Sequence, residues 1–280
     1  MKEPVPVELS GVSATLLSNL ARRAAAARAR RPLLDDPLAV EAMERLDYDF
    51  TNVAHGGASW HAVRVATFDN AVRRFLRSNP AGTVVALGEG LETQFWRVDN
   101  GRTRWLTVDL PPVLDVRRRV LPEDARLQSH SGSALELGWI DDLDHRAAVL
   151  VTAQGLLPYF ERDQVHALIA SMAERLPGSS FVFDVVPLRM LEVIRRTSGN
   201  ERDQAVALWT WFFDAEERAA IAAIPRVARL RDLTPPLWFA VVPLALRAVR
   251  SLPRKVRYAL PVLPVLEAAF AERREVEPPA

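Results

Sequence analysis

Between residues 83 and 186 the chain repeats one alternation, and this limits the folds open to it more than any other feature. Short apolar runs, TVVALG (83–88), RWLTVD (104–109), ARLQSH (125–130), AAVLVTA (147–153) and SSFVFDVV (179–186), are separated by longer segments with helical spacing. PPVLDVRRRVL and ERDQVHALIASMAERL are the clearest of these. A strand, a crossover helix and a second strand pair in parallel, because the helix carries the chain back to the edge where the first strand began. Strands so placed are covered by helices on both faces. The expected fold class is therefore α/β, with a mainly parallel sheet of Rossmann-like type.

The flanks read differently. Residues 12–30 are rich in Ala, Leu and Arg with no breaker, so a helix is expected. A second helix restarts after Pro32, with Asp36 as N-cap and Pro37 at its first position. Val63, Phe68, Val72, Phe75 and Leu76 predict a third, ending before Pro80. Residues 1–78 thus form an N-terminal helical extension or lid, 79–190 the cofactor-binding core, and 191–280 substrate-side helices and the last strands, all within one domain. In that last part, 201–230 read as helical, RVARLRDL (226–233) as a late strand, and the proline-rich tail resists assignment.

Composition excludes several chemistries. The 280 residues include no cysteine, which removes disulfides, cysteine-ligated zinc, iron–sulfur clusters and thiol nucleophiles. No histidine–acid group has metal-ligand spacing, so no metal is expected. A net charge of +1 argues against a dedicated nucleic-acid partner, and the arginines of RRAAAARARR (22–31) are expected on a solvated helix face. The longest apolar stretch, PPLWFAVVPLAL (235–246), is shorter than the roughly 20 residues of a membrane span and contains Pro243. With no signal peptide evident at the N-terminus, the default is a cytoplasmic protein.

The first strand ends in VVALGEGLETQ (84–94), and the second in Asp109. Ligands of open α/β sheets bind beyond the carboxyl ends of the strands. Gly88 and Gly90 let a ligand approach the backbone there, and a carboxylate at 109 can accept hydrogen bonds from ribose hydroxyls. A dinucleotide also needs a third glycine, at a helix N-terminus, for its pyrophosphate. Leu91 and Glu92 stand there instead, and a ribose-bearing ligand without phosphate fits better; S-adenosylmethionine is one. The plainer alternative is a tight strand-to-helix turn, with Asp109 as a helix cap.

VVALGEGLETQFWRVD, RWLTVDLPPVLDVRRRVLPE, SGSALELGWID, VLVTAQGLLPYFERDQVHALI and LPGSSFVFD follow one another in an order and spacing that resembles the leucine carboxyl methyltransferase superfamily. Within it, the chain looks most like the bacterial tetracenomycin-type branch of polyketide O-methyltransferases. The resemblance extends upstream through RARRPLLDDPLAV and RVATFDNAVRRFL, over roughly residues 12–190. It implies a class I methyltransferase with a seven-stranded sheet, S-adenosyl-L-methionine as cofactor, and a small-molecule acceptor. Gly88 and Gly90 would pass beside the methionine part, Asp109 would hold the ribose, and Ser133 and Ala134 would flank the adenine. Arg64 would pair with the methionine carboxylate, and Gln154 would lie near the amino group or the acceptor.

Two positions depart from the family pattern. Glu92-Thr93-Gln94 stands where relatives often have Asp-Thr-Arg, and Gln154-Gly155 where many have Glu-Gly. If the acceptor is a phenol, a base helps, and His55 and His61 are candidates; Tyr159 is a candidate for orienting the acceptor. LWTWFFDAEE (208–217) either lines a hydrophobic substrate pocket or is a helix buried against the sheet. The expected function is methyl transfer to a hydroxyl or carboxyl of a small hydrophobic, polyketide-like molecule. Protein C-terminal carboxyl methylation, or a non-catalytic ligand-binding protein keeping the fold, are the alternatives. A homodimer is an open option.

Overall fold

A computed structural model describes residues 3–30, 32, 34–52, 58–144, 146–188, 190, 207–235 and 264–273. A two-stranded parallel pair, β1 (Val5–Pro6) and β2 (Leu46–Asp47), lies apart from the main sheet. That sheet is built from β3 (Thr83–Leu87), β4 (Arg104–Asp109), β5 (Leu127–Ser131), β6 (Val149–Ala153), β7 (Ser180–Asp184), β8 (Val227–Leu233) and β9 (Val265–Phe270). Its order is β5-β4-β3-β6-β7-β9-β8; β3 to β7 run parallel and β9 is antiparallel to both neighbours. This is the class I methyltransferase arrangement expected from the sequence.

The helices are α1 (Thr15–Arg28), α2 (Pro37–Arg45), α3 (Ala58–Ser78), α4 (Gln94–Val98), α5 (Pro111–Val120), α6 (Arg162–Arg175) and α7 (Ala215–Ala222). Asp36 caps α2 as its sequence position requires, accepting from the Ala39 amide at 3.1 Å. The N-cap of α6 forms a capping box between Glu161 and Gln164.

Every residue of β3 is buried, and its side chains alternate between two cores. Val85 and Leu87 pack with Leu168, Ile169 and Met172 of α6, whereas Val84 and Ala86 pack with Phe68 and Val72 of α3 and Phe95 of α4. A third cluster joins α1, α2 and α5 through Leu17, Leu20, Ala39, Ala42, Val116 and Val120, and it reaches the turn after β3 at Leu91.

The C-terminal part departs from the expected layout. Residues 201–206 lie outside the described residues, residues 208–214 are not helical, and the helix Ala215–Ala222 gives way to a turn and to β8 before residue 230. The sequence reading also missed β9, which the chain inserts between β7 and β8. Among the described residues no helix is long and apolar enough to cross a membrane. The stretch 235–246 lies almost wholly outside them.

Candidate active site

The chain runs from β3 outward to β4 and β5, then returns to place β6 on the other side of β3. The loops after β3 and β6 therefore diverge, and a crevice opens between them at the carboxyl ends of the strands. A cavity of about 260 Å³ occupies this crevice. Its wall is made by the exits of β3, β4, β5 and β6, with residues 12–23 of the N-terminal helical region closing the other side.

The turn after β3 needs its glycines. Gly88 and Gly90 both have φ of +58°, a left-handed conformation that costs other residues roughly 1–2 kcal/mol. A Cβ on Gly88 would meet Leu156 Cδ1 at 2.7 Å, and one on Gly90 would meet Leu16 Cβ at 3.3 Å. The turn is also tied to β4, since the Gly90 amide donates to Asp109 Oδ2 at 2.7 Å. Asp109 Oδ1 accepts from the Leu110 amide at 2.8 Å. Burial raises the pKa of Asp109 against the pull of these two amides.

All seven residues expected to contact the cofactor, Arg64, Gly88, Gly90, Asp109, Ser133, Ala134 and Gln154, line this one cavity. The Ser133 hydroxyl accepts from the Leu135 amide at 3.2 Å, which leaves its proton available. Arg64 is already engaged: one terminal nitrogen donates to Asp184 Oδ2 at 2.9 Å, and the other lies 3.1 Å from His61 Nδ1. Asp184 Oδ1 also accepts from the Gly155 amide at 2.6 Å. Among the described residues Arg64 Nε is buried without a partner.

The base candidates separate. His55 lies outside the described residues. His61 is buried and outside the cavity wall, and burial with the nearby Arg64 charge pushes its pKa well below the usual value, so its imidazole is neutral. Tyr159 does line the cavity, and its hydroxyl donates to Thr15 Oγ1 at 3.2 Å, joining the β6 side to the start of α1. Trp211 and Phe213 are buried in the main core, with Trp211 Nε1 donating to Glu217 at 2.8 Å; neither is in the described cavity wall.

The sequence reading missed the charged groups around the turn. Arg23 is buried, contrary to the solvated face expected for 22–31. It binds Asp36 at 3.2 Å, Glu92 at 3.2 Å and the Leu91 carbonyl at 2.5 Å. Arg97 meets Asp36, Asp69 and Glu92 at 2.9, 2.9 and 2.7 Å. Burial pushes the Glu92 pKa up, but Arg23 and Arg97 outweigh it and hold the carboxyl far below the usual range. Gln94 donates to Asp69 at 3.0 Å, so this departure from the family pattern joins the ion cluster. Glu89 accepts from Thr107 at 2.6 Å and pairs with Arg117 at 3.1 Å, and burial raises its pKa. The one available signal was the bare count of charged residues in DDPLAVE and GEGLETQFWR.

The cavity suits S-adenosylmethionine by the groups left unsatisfied in it. Three residues of its lining carry side-chain atoms buried without a partner among the described residues, Arg64 Nε, Gln154 Oε1 and Glu89 Oε1, and Asp109 has lone pairs to spare. A zwitterionic amino-acid tail and a ribose would satisfy such groups, while Leu91 and Glu92 oppose a phosphate.

Comparisons with known proteins point the same way. The family model described as leucine carboxyl methyltransferase matches residues 16–173. The chain is similar to the tetracenomycin polyketide synthesis O-methyltransferase TcmP of Streptomyces glaucescens, with 32% identity over 64% of this chain and 68% of that protein. It is 29% identical to an S-adenosyl-L-methionine-dependent methyltransferase, dpfgK, of Gibberella zeae, over 62% of this chain and 64% of that protein. In fold it resembles the plantazolicin methyltransferase BamL, whose crystal structure holds SAH, with TM-score 0.53, 10% identity, and 94% of this chain and 100% of that one covered. The chain belongs to the leucine carboxyl methyltransferase family and is an S-adenosylmethionine-dependent methyltransferase.

Proposed function

We propose that the protein methylates an oxygen, hydroxyl or carboxyl, of a small hydrophobic molecule of polyketide-like character. The observation that carries this reading is the meeting of Asp109, Arg64 and the two-glycine turn in one cavity at the sheet's switch point. TcmP, a relative that matches most of this core, is named for such a reaction.

Bound cofactor supplies a methyl group on a positively charged sulfur. The residues of this chain bind and orient. Asp109 accepts hydrogen bonds from the ribose hydroxyls, and its burial sharpens the cost of leaving them unmade. Arg64, held by Asp184 and His61, offers its guanidinium charge to the methionine carboxylate. Gly88 and Gly90 admit the chain of the cofactor against the backbone, and Ser133 and Ala134 bound the adenine. Tyr159, on the α1 side, orients the acceptor. A carboxylate acceptor is already ionised near neutrality and needs no base. Displacement then depends on holding nucleophile and methyl in line within a site shielded from water.

Purified protein incubated with methyl-labelled cofactor and a panel of phenols and aromatic carboxylic acids tests the reading. Label should enter an oxygen of at least one class, and Asp109→Ala should lose it. Label entering only a protein C-terminus would overturn the choice of acceptor.

A further inference from the structure

The charges around the cavity do not balance. Two pairs are matched: Arg64 with Asp184, and Arg117 with Glu89. In the remaining cluster, Arg23 and Arg97 face three buried carboxylates, Asp36, Asp69 and Glu92. Among the described residues, the hydrogen bonds to Asp109 come from the Gly90 and Leu110 backbone amides. Among the residues that line the cavity, Glu89, Glu92 and Asp109 thus outnumber Arg23 and Arg64 by one. Buried charge of one sign projects strongly across a cavity of low dielectric, so the wall favours an occupant of the opposite sign.

Gln154 transmits this charge inward. Its Nε2 donates to Glu92 Oε2 at 3.1 Å, and its Oε1 is buried with no partner. The amide cannot be turned round without setting its oxygen against an ionised carboxylate that can only accept. Glu92 therefore fixes Gln154 with its carbonyl dipole aimed away from itself, and the residue lines the cavity. Glu89 lines the same wall with its side chain 3% exposed, and its Oε1 is buried without a partner among the described residues.

We propose that this wall selects the charged sulfonium cofactor over the neutral thioether left after transfer, with Glu92 and Gln154 as the specificity-determining pair. The inference rests on S-adenosylmethionine being the cofactor. S-adenosylmethionine carries a sulfonium, an ammonium and a carboxylate, and S-adenosylhomocysteine only the last two. On transfer the methyl carbon bonds to the acceptor oxygen in its ionised form, whose negative charge is thereby neutralised, and the sulfur keeps the electron pair of the broken bond and loses its positive charge. The wall then loses the charge it favours, which lowers its hold on the product and speeds release.

Calorimetry on the full chain with S-adenosylmethionine, S-adenosylhomocysteine and sinefungin, which carries an amine in place of the sulfonium methyl, tests the proposal. The two cationic ligands should bind at least about tenfold more tightly than the thioether, a gap that one extra charge in such a site can supply. Glu92→Gln should shrink the gap severalfold, mainly by weakening the cationic ligands. Gln154→Met removes the acceptor while leaving the ion cluster in place, and should shrink it too if Glu92→Gln fails to fold. Equal or tighter binding of the thioether by the unaltered protein would overturn the proposal, as would an unchanged gap in both variants. Failure of all three ligands to bind would overturn the cofactor assignment, and the proposal with it.

Discussion

The turn after β3 and the ion cluster behind it lie side by side but are built on opposite principles. Gly88 to Gly90 is shaped by backbone: two left-handed residues and one amide-to-carboxylate bond fix its course. The cluster of Arg23, Asp36, Asp69, Glu92 and Arg97 is shaped by side chains drawn from four separate stretches of sequence. The turn loses shape when atoms are added; the cluster loses stability when a charge is removed. Burying ions is expensive unless each is paired, so a cavity wall made of them is held tightly only while the set is complete.

The largest effect should come from the cluster. Arg97→Ala leaves Asp69 without a guanidinium partner among the described residues and takes one of two from Asp36 and Glu92, and should cost about 3–5 kcal/mol in urea unfolding. A loss below about 1 kcal/mol would mean that water readily enters the cluster. Gly90→Val acts on the turn, where left-handed strain and the approach to Leu16 should together cost about 2–3 kcal/mol and abolish turnover. A folded Gly90→Val protein with normal turnover would make the turn merely structural. Asp109→Ala comes next, with cofactor affinity expected to fall about 10- to 100-fold by calorimetry, the worth of one or two hydrogen bonds to a charged group. Unchanged affinity in a folded variant would refute the ribose role.

A pH measurement separates the regions further. His61 is neutral in the fold, while in the unfolded chain it takes a proton below its ordinary pKa of 6.5. The unfolded state then binds more protons, so His61's contribution is full above pH 6.5 and is lost as pH falls, by up to about 1.4 kcal/mol per unit. His61→Gln should flatten the stability curve between pH 7 and 5.5. Asp109 and Glu89, raised by burial, tilt the curve the other way, and comparison with the unaltered protein cancels them. Identical slopes would show that His61 titrates alike in the folded and the unfolded chain. Smallest of all, Tyr159→Phe should cost about 0.5–1 kcal/mol through its bond to Thr15 and raise the acceptor KM severalfold with cofactor affinity unchanged. An unaltered KM would remove Tyr159 from the acceptor side.

What could be read in advance follows the same division. The parallel half of the sheet was legible because β3, β4, β6 and β7 are apolar runs bounded by breakers, and Asp36-Pro37 marks a helix start unambiguously. Gly88, Gly90 and Asp109 were legible because their roles depend on position along one strand–turn–strand unit. Arg23 was not, since an arginine in an alanine-rich helix gives no sign that Asp36 and Glu92 will fold over it. VLEAAF, the sequence of β9, has the residues of a helix former, and only its place between two strands overrides that preference. Trp211 and Phe213 announced burial but not which side of the sheet would bury them.

The position of β9 also has a consequence for how the molecule is made. Val265 pairs with Asp184 at the end of β7, and the Val185 amide donates to the Pro264 carbonyl at 3.0 Å. As the polypeptide leaves the ribosome, β7 therefore emerges long before the neighbour that covers its edge. Until then Asp184 sits on an open border of the sheet, and the guanidinium it steadies has no fixed anchor. Cofactor affinity should accordingly be acquired only once β9 has been threaded between its two partners.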